Sequence, residues 1–113
     1  MNFDQFNEKS KIIINEAQNK AISLNNQQIT SLHLIFSIFN SNDNFLTEIF
    51  NSCNLKKAII IESIELELKK LANVSGTNIN IFYSNELIRI LENSKKKKNE
   101  FNDSFVSPEI ILY

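Results

Sequence analysis

The sequence predicts an all-α domain of two pseudo-symmetric helical repeats, the second truncated, and three observations lead to that fold class. One glycine and one proline among 113 residues favour helices joined by short polar loops over a turn-rich β-domain. Apolar residues recur at spacings of three and four. Similar residues also return 77 positions later, so that Phe6 matches Tyr83 and Ile29 matches Val106. With 42% apolar residues, the chain can bury one core.

The first two helices carry the clearest pattern. A stripe between Phe6 and Leu24 predicts a first helix of about five turns, which the polar stretch 25–28 ends. Thr30 can cap a second helix that runs to about Phe39 and should be central, since it is apolar around much of its circumference. The stripe consists of Phe6, Ser10, Ile13, Ile14, Ala17, Ala21 and Leu24.

Two further helices complete the first repeat, which extends over about 4–72. A turn at 41–44 precedes a short third helix that ends near Phe50. A fourth helix should bury a stripe from Leu55 to Leu71 and expose its acids, with Glu65 and Lys69 forming a favourable pair on its surface.

The second repeat, about 84–113, follows a linker at 73–83 that is too short and isolated for a stable sheet. Ser84 caps a fifth helix, and Ser107 with Pro108 begins another that has about two turns left. The two covering helices of repeat one have no counterparts here. We therefore expect this chain to be marginally stable, to associate with itself, or to be part of something longer.

No residue pattern predicts an enzyme, a cofactor or a metal site. Gly76 alone cannot supply a phosphate-binding loop. His33 has apolar neighbours, and Cys53 has no pattern of partners, so core roles are favoured over catalysis or metal binding. The lone cysteine agrees with a reducing compartment.

Charge and hydropathy bound the partners. The net charge of −1 selects neither nucleic acid nor membrane. The run Lys95–Lys98 could touch an anionic partner, but a solvated helix end is favoured because Glu92 and Glu100 flank it. With no apolar stretch long enough to span a bilayer and no secretory signal, a cytoplasmic bacterial protein is expected, and an organelle matrix is the alternative.

A set of ordered motifs extends over essentially the whole chain. The motifs run from Asn26-Gln27-Gln28-Ile29 with Leu32-His33-Leu34, through Lys70-Leu71, Val74-Ser75-Gly76 and Tyr83-Ser84 with Leu87–Leu91, to Asp103–Ser107 with Glu109. In these motifs the chain resembles the N-terminal domain of the Clp-family AAA+ unfoldases, most like that of the ClpB disaggregases. The resemblance implies a domain that binds unfolded or aggregated polypeptide, or an adaptor, between its repeats. It also implies AAA+ ATPase modules in the same or a related chain as partners.

The resemblance places five residues at the binding groove. Asp103 and Glu109 match its acidic positions, Leu91 and Ile110 match apolar ones, and Asn7 stands where relatives often have threonine. A structural alternative for Glu109 is that it stabilises the start of the last helix.

Other departures alter the expected groove. Lys97 and Lys98 replace residues that are usually apolar or small, which predicts a more basic groove. Leu32 replaces an acid of phosphoarginine-reading ClpC relatives, which disfavours that activity. The family domain also continues past the point where this chain stops. Two other interpretations stay open: a stand-alone adaptor or homo-oligomer that completes its second repeat in trans, and a truncated fragment without its own activity.

Overall fold

A computed structural model describes residues 3–41, 48–49, 51–54, 56–71, 81–100, 105–108 and 111. The helices that lie wholly within these residues are α1 (Glu8–Ser23), α2 (Ser31–Phe39), α3 (Lys57–Leu68) and α4 (Asn85–Glu100). Two short strands, β1 (Gln28–Ile29) and β2 (Phe82–Tyr83), complete the described elements. The predicted all-α class is confirmed. Most of the predicted short third helix and of the linker, and most of the helix that Ser107 begins, lie outside the described residues.

Helix α1 buries the predicted stripe and has a specific structure at each end. The Asn7 side chain caps it by accepting a hydrogen bond from the Ser10 amide at 2.9 Å. At the other end Asn25 adopts a left-handed φ of 57°, and the Asn26 amide donates back to the Ala21 carbonyl at 2.9 Å. An asparagine thus takes the place that glycine commonly holds at a helix end.

Helix α2 is central, as predicted, because it packs against both α1 and α3. Its buried residues are His33, Leu34, Ser37 and Ile38. The Ser37 hydroxyl donates to the Ile13 carbonyl of α1 at 2.6 Å, so the polar group in this packed surface is satisfied.

Helix α3 buries Ile64 and Leu68 of its predicted stripe. The expected pairing of Glu65 with Lys69 is wrong. Glu65 lies 3.6 Å from the ammonium of Lys20 on α1, so the carboxylate links two helices instead of supporting its own.

The strand pairing corrects the expectation that residues 73–83 end without a sheet. β1 and β2 pair in parallel, with Gln28 opposite Phe82 and Ile29 opposite Tyr83. Each strand is only two residues long, but each leads directly into a packed helix. The helices hold the two backbones together, so the pair needs no larger sheet for stability.

A second parallel bridge joins Phe6 to Val106. Adding 77 converts Phe6 and Ile29 into Tyr83 and Val106, so the two pairings are related by the sequence repeat. The hydrogen bonds agree: the Asn7 amide donates to the Val106 carbonyl at 2.8 Å, and the Ser84 amide donates to the Ile29 carbonyl at 2.9 Å. The repeats therefore pack with pseudo-twofold symmetry, and the segment before the first helix of each repeat pairs with a segment of the other repeat. We call these two pairings the strand exchange.

The start of α4 repeats the start of α1. The Leu87 amide donates to the Ser84 hydroxyl at 3.1 Å, which matches the bond from Ser10 to Asn7 and confirms the predicted cap. Both helices have 16 residues. Helix α4 buries Leu87, Leu91 and Ser94 in the shared core.

Candidate functional site

The first turns of α1, α2 and α4 each contain a residue that bonds to the other repeat. Besides the backbone pairings, the Ser10 hydroxyl of α1 donates to the Val106 carbonyl at 3.0 Å. The Ser31 hydroxyl, at the start of α2, donates to the Glu86 carboxylate in the first turn of α4. These bonds fix the relative position of the two repeats, so a surface between them is preorganised.

An aromatic cluster lies at this junction. The Phe3 ring makes edge contacts with Phe6 at 5.7 Å and with Tyr83 at 5.8 Å between ring centroids. Phe6 and Tyr83 are equivalent in the repeat, so Phe3 packs between the two copies of one position. The Tyr83 hydroxyl lies 3.5 Å from the Gln18 amide oxygen, and burial raises the pKa of the Tyr83 phenol.

A cleft of about 240 Å³ opens beside this cluster, between α1 and the segments that carry Phe3 and Tyr83. We call it the Tyr83 cleft. It is lined by Phe3, Lys11, Ile14, Asn15, Gln18 and Tyr83. Its walls combine aromatic and aliphatic surface with amide groups and one ammonium, a composition that suits a side chain with an adjacent peptide backbone.

A larger cavity of about 510 Å³ lies within repeat one, between α1 and α2. Ile12 and Phe36 supply its apolar surface, and the Lys20 ammonium lies 4.2 Å from the centre of the Phe36 ring. This cavity is larger than the Tyr83 cleft, but its described lining includes neither a strand residue nor Asn7 or Leu91.

The lysine run is not simply a solvated helix end. The Lys95 side chain is only 16% exposed, with its ammonium 5.9 Å from the Phe6 ring centre and 3.2 Å from Glu92. Lys98 donates to the Gln5 amide oxygen at 2.9 Å. These lysines cover the junction because residues 95 and 98 lie one turn apart on α4, facing the segment before α1.

The five residues predicted for the groove have different positions. Asn7 is half-buried and uses its side-chain oxygen to cap α1. Leu91 is 0% exposed and belongs to the core, so any contribution to binding would be indirect. Asp103, Glu109 and Ile110 lie outside the described residues.

His33 has a core role, in agreement with the sequence interpretation. Its Nδ1 accepts from the Thr30 backbone amide at 2.9 Å, which leaves Nε2 to donate to the Asn26 side-chain oxygen at 3.0 Å. Burial, and secondarily the charge of Lys20, lower the pKa of His33 from 6.5 to about 4. The neutral ring therefore joins the loop after α1 to the start of α2.

Within the described residues no group of three or more His, Cys, Asp or Glu could hold a metal ion. In the same part of the chain, no helix is long and apolar enough to cross a membrane.

Phe3, Gln18, Tyr83 and Lys95 were not predicted as a site. The 77-residue offset contained a usable signal, because it pairs Phe6 with Tyr83 and Gln18 with Lys95. Which side chains fill the space between the repeats depends on packing that a one-dimensional pattern does not contain.

A protein family and several known proteins match this chain over almost its full length. Residues 5–113 match the family model described as Clp repeat (R) N-terminal domain. A chaperone protein ClpB of Rickettsia bellii is 31% identical over 113 residues, covering 99% of this chain and 13% of the relative. One of Bacillus anthracis is 24% identical over 115 residues, again covering 99% and 13%. The chain thus spans about an eighth of the length of these curated relatives.

Solved structures share the fold. The Hsp104 N-terminal domain from Candida albicans superposes with a TM-score of 0.85 at 21% identity, covering 96% of this chain and 71% of that one. The N-domain of ClpV from Vibrio cholerae gives a TM-score of 0.82 at 13% identity, with coverages of 97% and 65%. At these identities the likeness concerns the fold alone.

Proposed function

This chain belongs to the Clp repeat N-terminal domain family, and we propose that it is the substrate-recognition domain of a ClpB-like protein disaggregase. The observation that carries the proposal is the match to ClpB chaperones over 99% of the chain. The matched family is an N-terminal domain and not a catalytic ATPase domain. ATP hydrolysis and threading would belong to AAA+ modules of the same or a related chain.

The proposed ligand is unfolded or aggregated polypeptide, captured weakly through its exposed apolar segments. Two phenylalanines beside the strand exchange, Phe82 and Phe105, are 46% and 54% exposed. They offer apolar surface next to the preorganised junction, and exposed apolar surface of this kind is typical of interaction sites. Neither nucleic acid nor membrane is a proposed partner, and the proposed compartment is the bacterial cytoplasm.

The residues proposed to contact the polypeptide are Asn7, Asp103, Glu109 and Ile110. Leu91 supports them from the core, because its side chain is fully buried. A substitution of Leu91 by a charged residue would test folding more than binding, since an unpaired charge in a core is strongly destabilising.

The test is binding of reduced, carboxymethylated lactalbumin, which stays unfolded, compared with native lactalbumin. We expect fluorescence anisotropy to show saturable binding of the unfolded form only, and a severalfold weaker interaction for Glu109→Ala. Glu62→Ala is the matched control, because Glu62 is a solvent-exposed acid of α3 and is not among the residues proposed to contact the polypeptide. Equal binding of both lactalbumin forms, or of neither, would contradict the proposed function.

A further inference from the structure

The two repeats place different side chains at one equivalent position. The offset that relates Phe6 to Tyr83 also relates Gln18 of α1 to Lys95 of α4, and Asn15 to Glu92. The same backbone geometry therefore presents a long cationic side chain in one half of the domain and a shorter amide in the other.

Beside Phe6, the Lys95 side chain of the protein itself fills this position. The Lys95 side chain is 16% exposed, and its ammonium lies 5.9 Å from the Phe6 ring centre. Glu92 holds that ammonium at 3.2 Å. The aliphatic stem of a lysine readily covers apolar surface while its charged end finds a partner. The contact between Lys95 and Phe6 thus shows this position when a side chain occupies it.

Beside Tyr83, the equivalent residue Gln18 reaches only the edge of the aromatic ring. Its amide oxygen lies 3.5 Å from the Tyr83 hydroxyl. The remaining space is the Tyr83 cleft of about 240 Å³, with Phe3, Ile14 and Tyr83 as its apolar walls. It is smaller than the roughly 300–1,000 Å³ of a typical small-molecule site, and suits a single large side chain.

We propose that the Tyr83 cleft receives one large apolar side chain of the unfolded polypeptide. That side chain would take the position equivalent to the one that Lys95 fills beside Phe6. This inference rests on the proposed function, and it assigns a specificity pocket to it. The occupant is apolar because Asn15 takes the position of Glu92, so that the lining residues that the structure describes include no carboxylate. Lys11 is the charged residue among the described lining, and its ammonium lies 3.4 Å from the exposed Glu8 carboxylate.

Amide groups around the cleft match the backbone of such a polypeptide. Asn15 and Gln18 each offer a donor and an acceptor beside the apolar walls. An extended chain that inserts one leucine or phenylalanine would leave its flanking peptide groups at this polar rim. The cleft consequently selects for a large apolar side chain without selecting for sequence around it.

Reciprocal substitutions test the proposal. Gln18→Lys reproduces Lys95 and should close the Tyr83 cleft, which we expect to weaken binding of carboxymethylated lactalbumin about tenfold or more, the value of one buried apolar side chain. Lys95→Gln should open the equivalent position beside Phe6 and strengthen binding. Both effects oppose simple electrostatics, because carboxymethylated lactalbumin is acidic and a new lysine would attract it.

Asn19→Lys is the matched control, since it adds the same charge at the exposed neighbour of Gln18 on α1. Circular dichroism would verify that each variant is folded, and aromatic NMR signals of Tyr83 should shift when the unfolded protein is added. If the wild-type protein binds and Gln18→Lys binds equally tightly, the proposed role of the cleft is wrong and the proposed function still stands. Absence of wild-type binding would overturn the proposed function, and the cleft with it.

Discussion

At the scale of single residues, buried polar groups define the connections of this domain. His33 is 0% exposed, yet both ring nitrogens have partners, Thr30 on one side and Asn26 on the other. The Thr30 amide requires an unprotonated Nδ1, so these bonds hold only for the neutral ring. Protonation would place two donors against each other, and burial, followed by the charge of Lys20, lowers the pKa of His33.

Because the pKa of His33 is lowered in the folded chain, the free energy of unfolding depends on pH. The pKa of His33 is about 4 in the folded chain, against 6.5 for an unperturbed histidine, so the unfolded chain binds the proton more tightly. The stabilising contribution is complete above about pH 6.5 and is lost as the pH falls toward 4. Between pH 7.5 and pH 5 we expect the free energy of unfolding to fall by about 2 kcal/mol.

Urea unfolding at a series of pH values would measure this loss. His33→Gln should have a lower free energy of unfolding at pH 7.5, because the Thr30 and Asn26 contacts change, but a flatter pH profile. An unaltered slope in His33→Gln would show that another group titrates over this range.

At the scale of elements, the first helix is held to its neighbours by unequal contacts. Lys20 of α1 makes two of them, to the Glu65 carboxylate at 3.6 Å and to the Phe36 ring at 4.2 Å. Glu65 is 45% exposed in its side chain, so solvent screens the ion pair. The contact with the ring is a cation–π interaction of the Lys20 ammonium, and it is strengthened because the Lys20 side chain is only 23% exposed.

We therefore expect Lys20→Ala to destabilise the domain more than Glu65→Gln. Glu65→Gln should cost less than about 1 kcal/mol, as is typical of exposed ion pairs, and less still at high salt. Denaturant melts of both single variants and the double variant would give the coupling energy. A larger cost for Glu65→Gln would mean that the ion pair, not the packing of Lys20, is the main link between α1 and α3.

The strands at the junction are stable for a reason that also belongs to this scale. Neither the two-residue pair of β1 with β2 nor the single bridge between Phe6 and Val106 would persist alone. Each precedes a helix whose first turn uses a side-chain cap, from Asn7 before α1 and from Ser84 before α4. The caps fix the backbone direction at the point where each strand pairs.

At the scale of the whole molecule, strand exchange couples the two repeats. The Asn7 and Ser84 amides donate across the junction to Val106 and Ile29, in equivalent positions. Separating the repeats would break both bonds at once. The two amides should consequently report one shared opening, although they are far apart in sequence.

Native-state hydrogen exchange would detect this coupling. We expect the Asn7 and Ser84 amides to exchange with similar opening free energies, and Ser10→Ala to lower both by about 1 kcal/mol because it removes the buried bond to Val106. Faster exchange at Asn7 alone would show that the two strand pairs open independently.

Sequence by itself determined the places of α1 and α2, the cap at Ser84 and the 77-residue repeat. The reason is that spacings of three and four, capping residues and the 77-residue offset are local or periodic properties, which each stretch of chain expresses wherever it lies. Helices α1 and α2 and the start of α4 lie where these patterns place them.

Tertiary structure alone decided which partners meet across the junction. Glu65 pairs with Lys20 and not with Lys69, Lys95 covers Phe6 instead of facing solvent, and Phe82–Tyr83 forms a strand. Each outcome depends on a residue distant in the chain that supplies the charge, the ring or the backbone acceptor. The Tyr83 cleft has the same origin, because it exists only where packing of the repeats brings Gln18 to Tyr83 without filling the space between them.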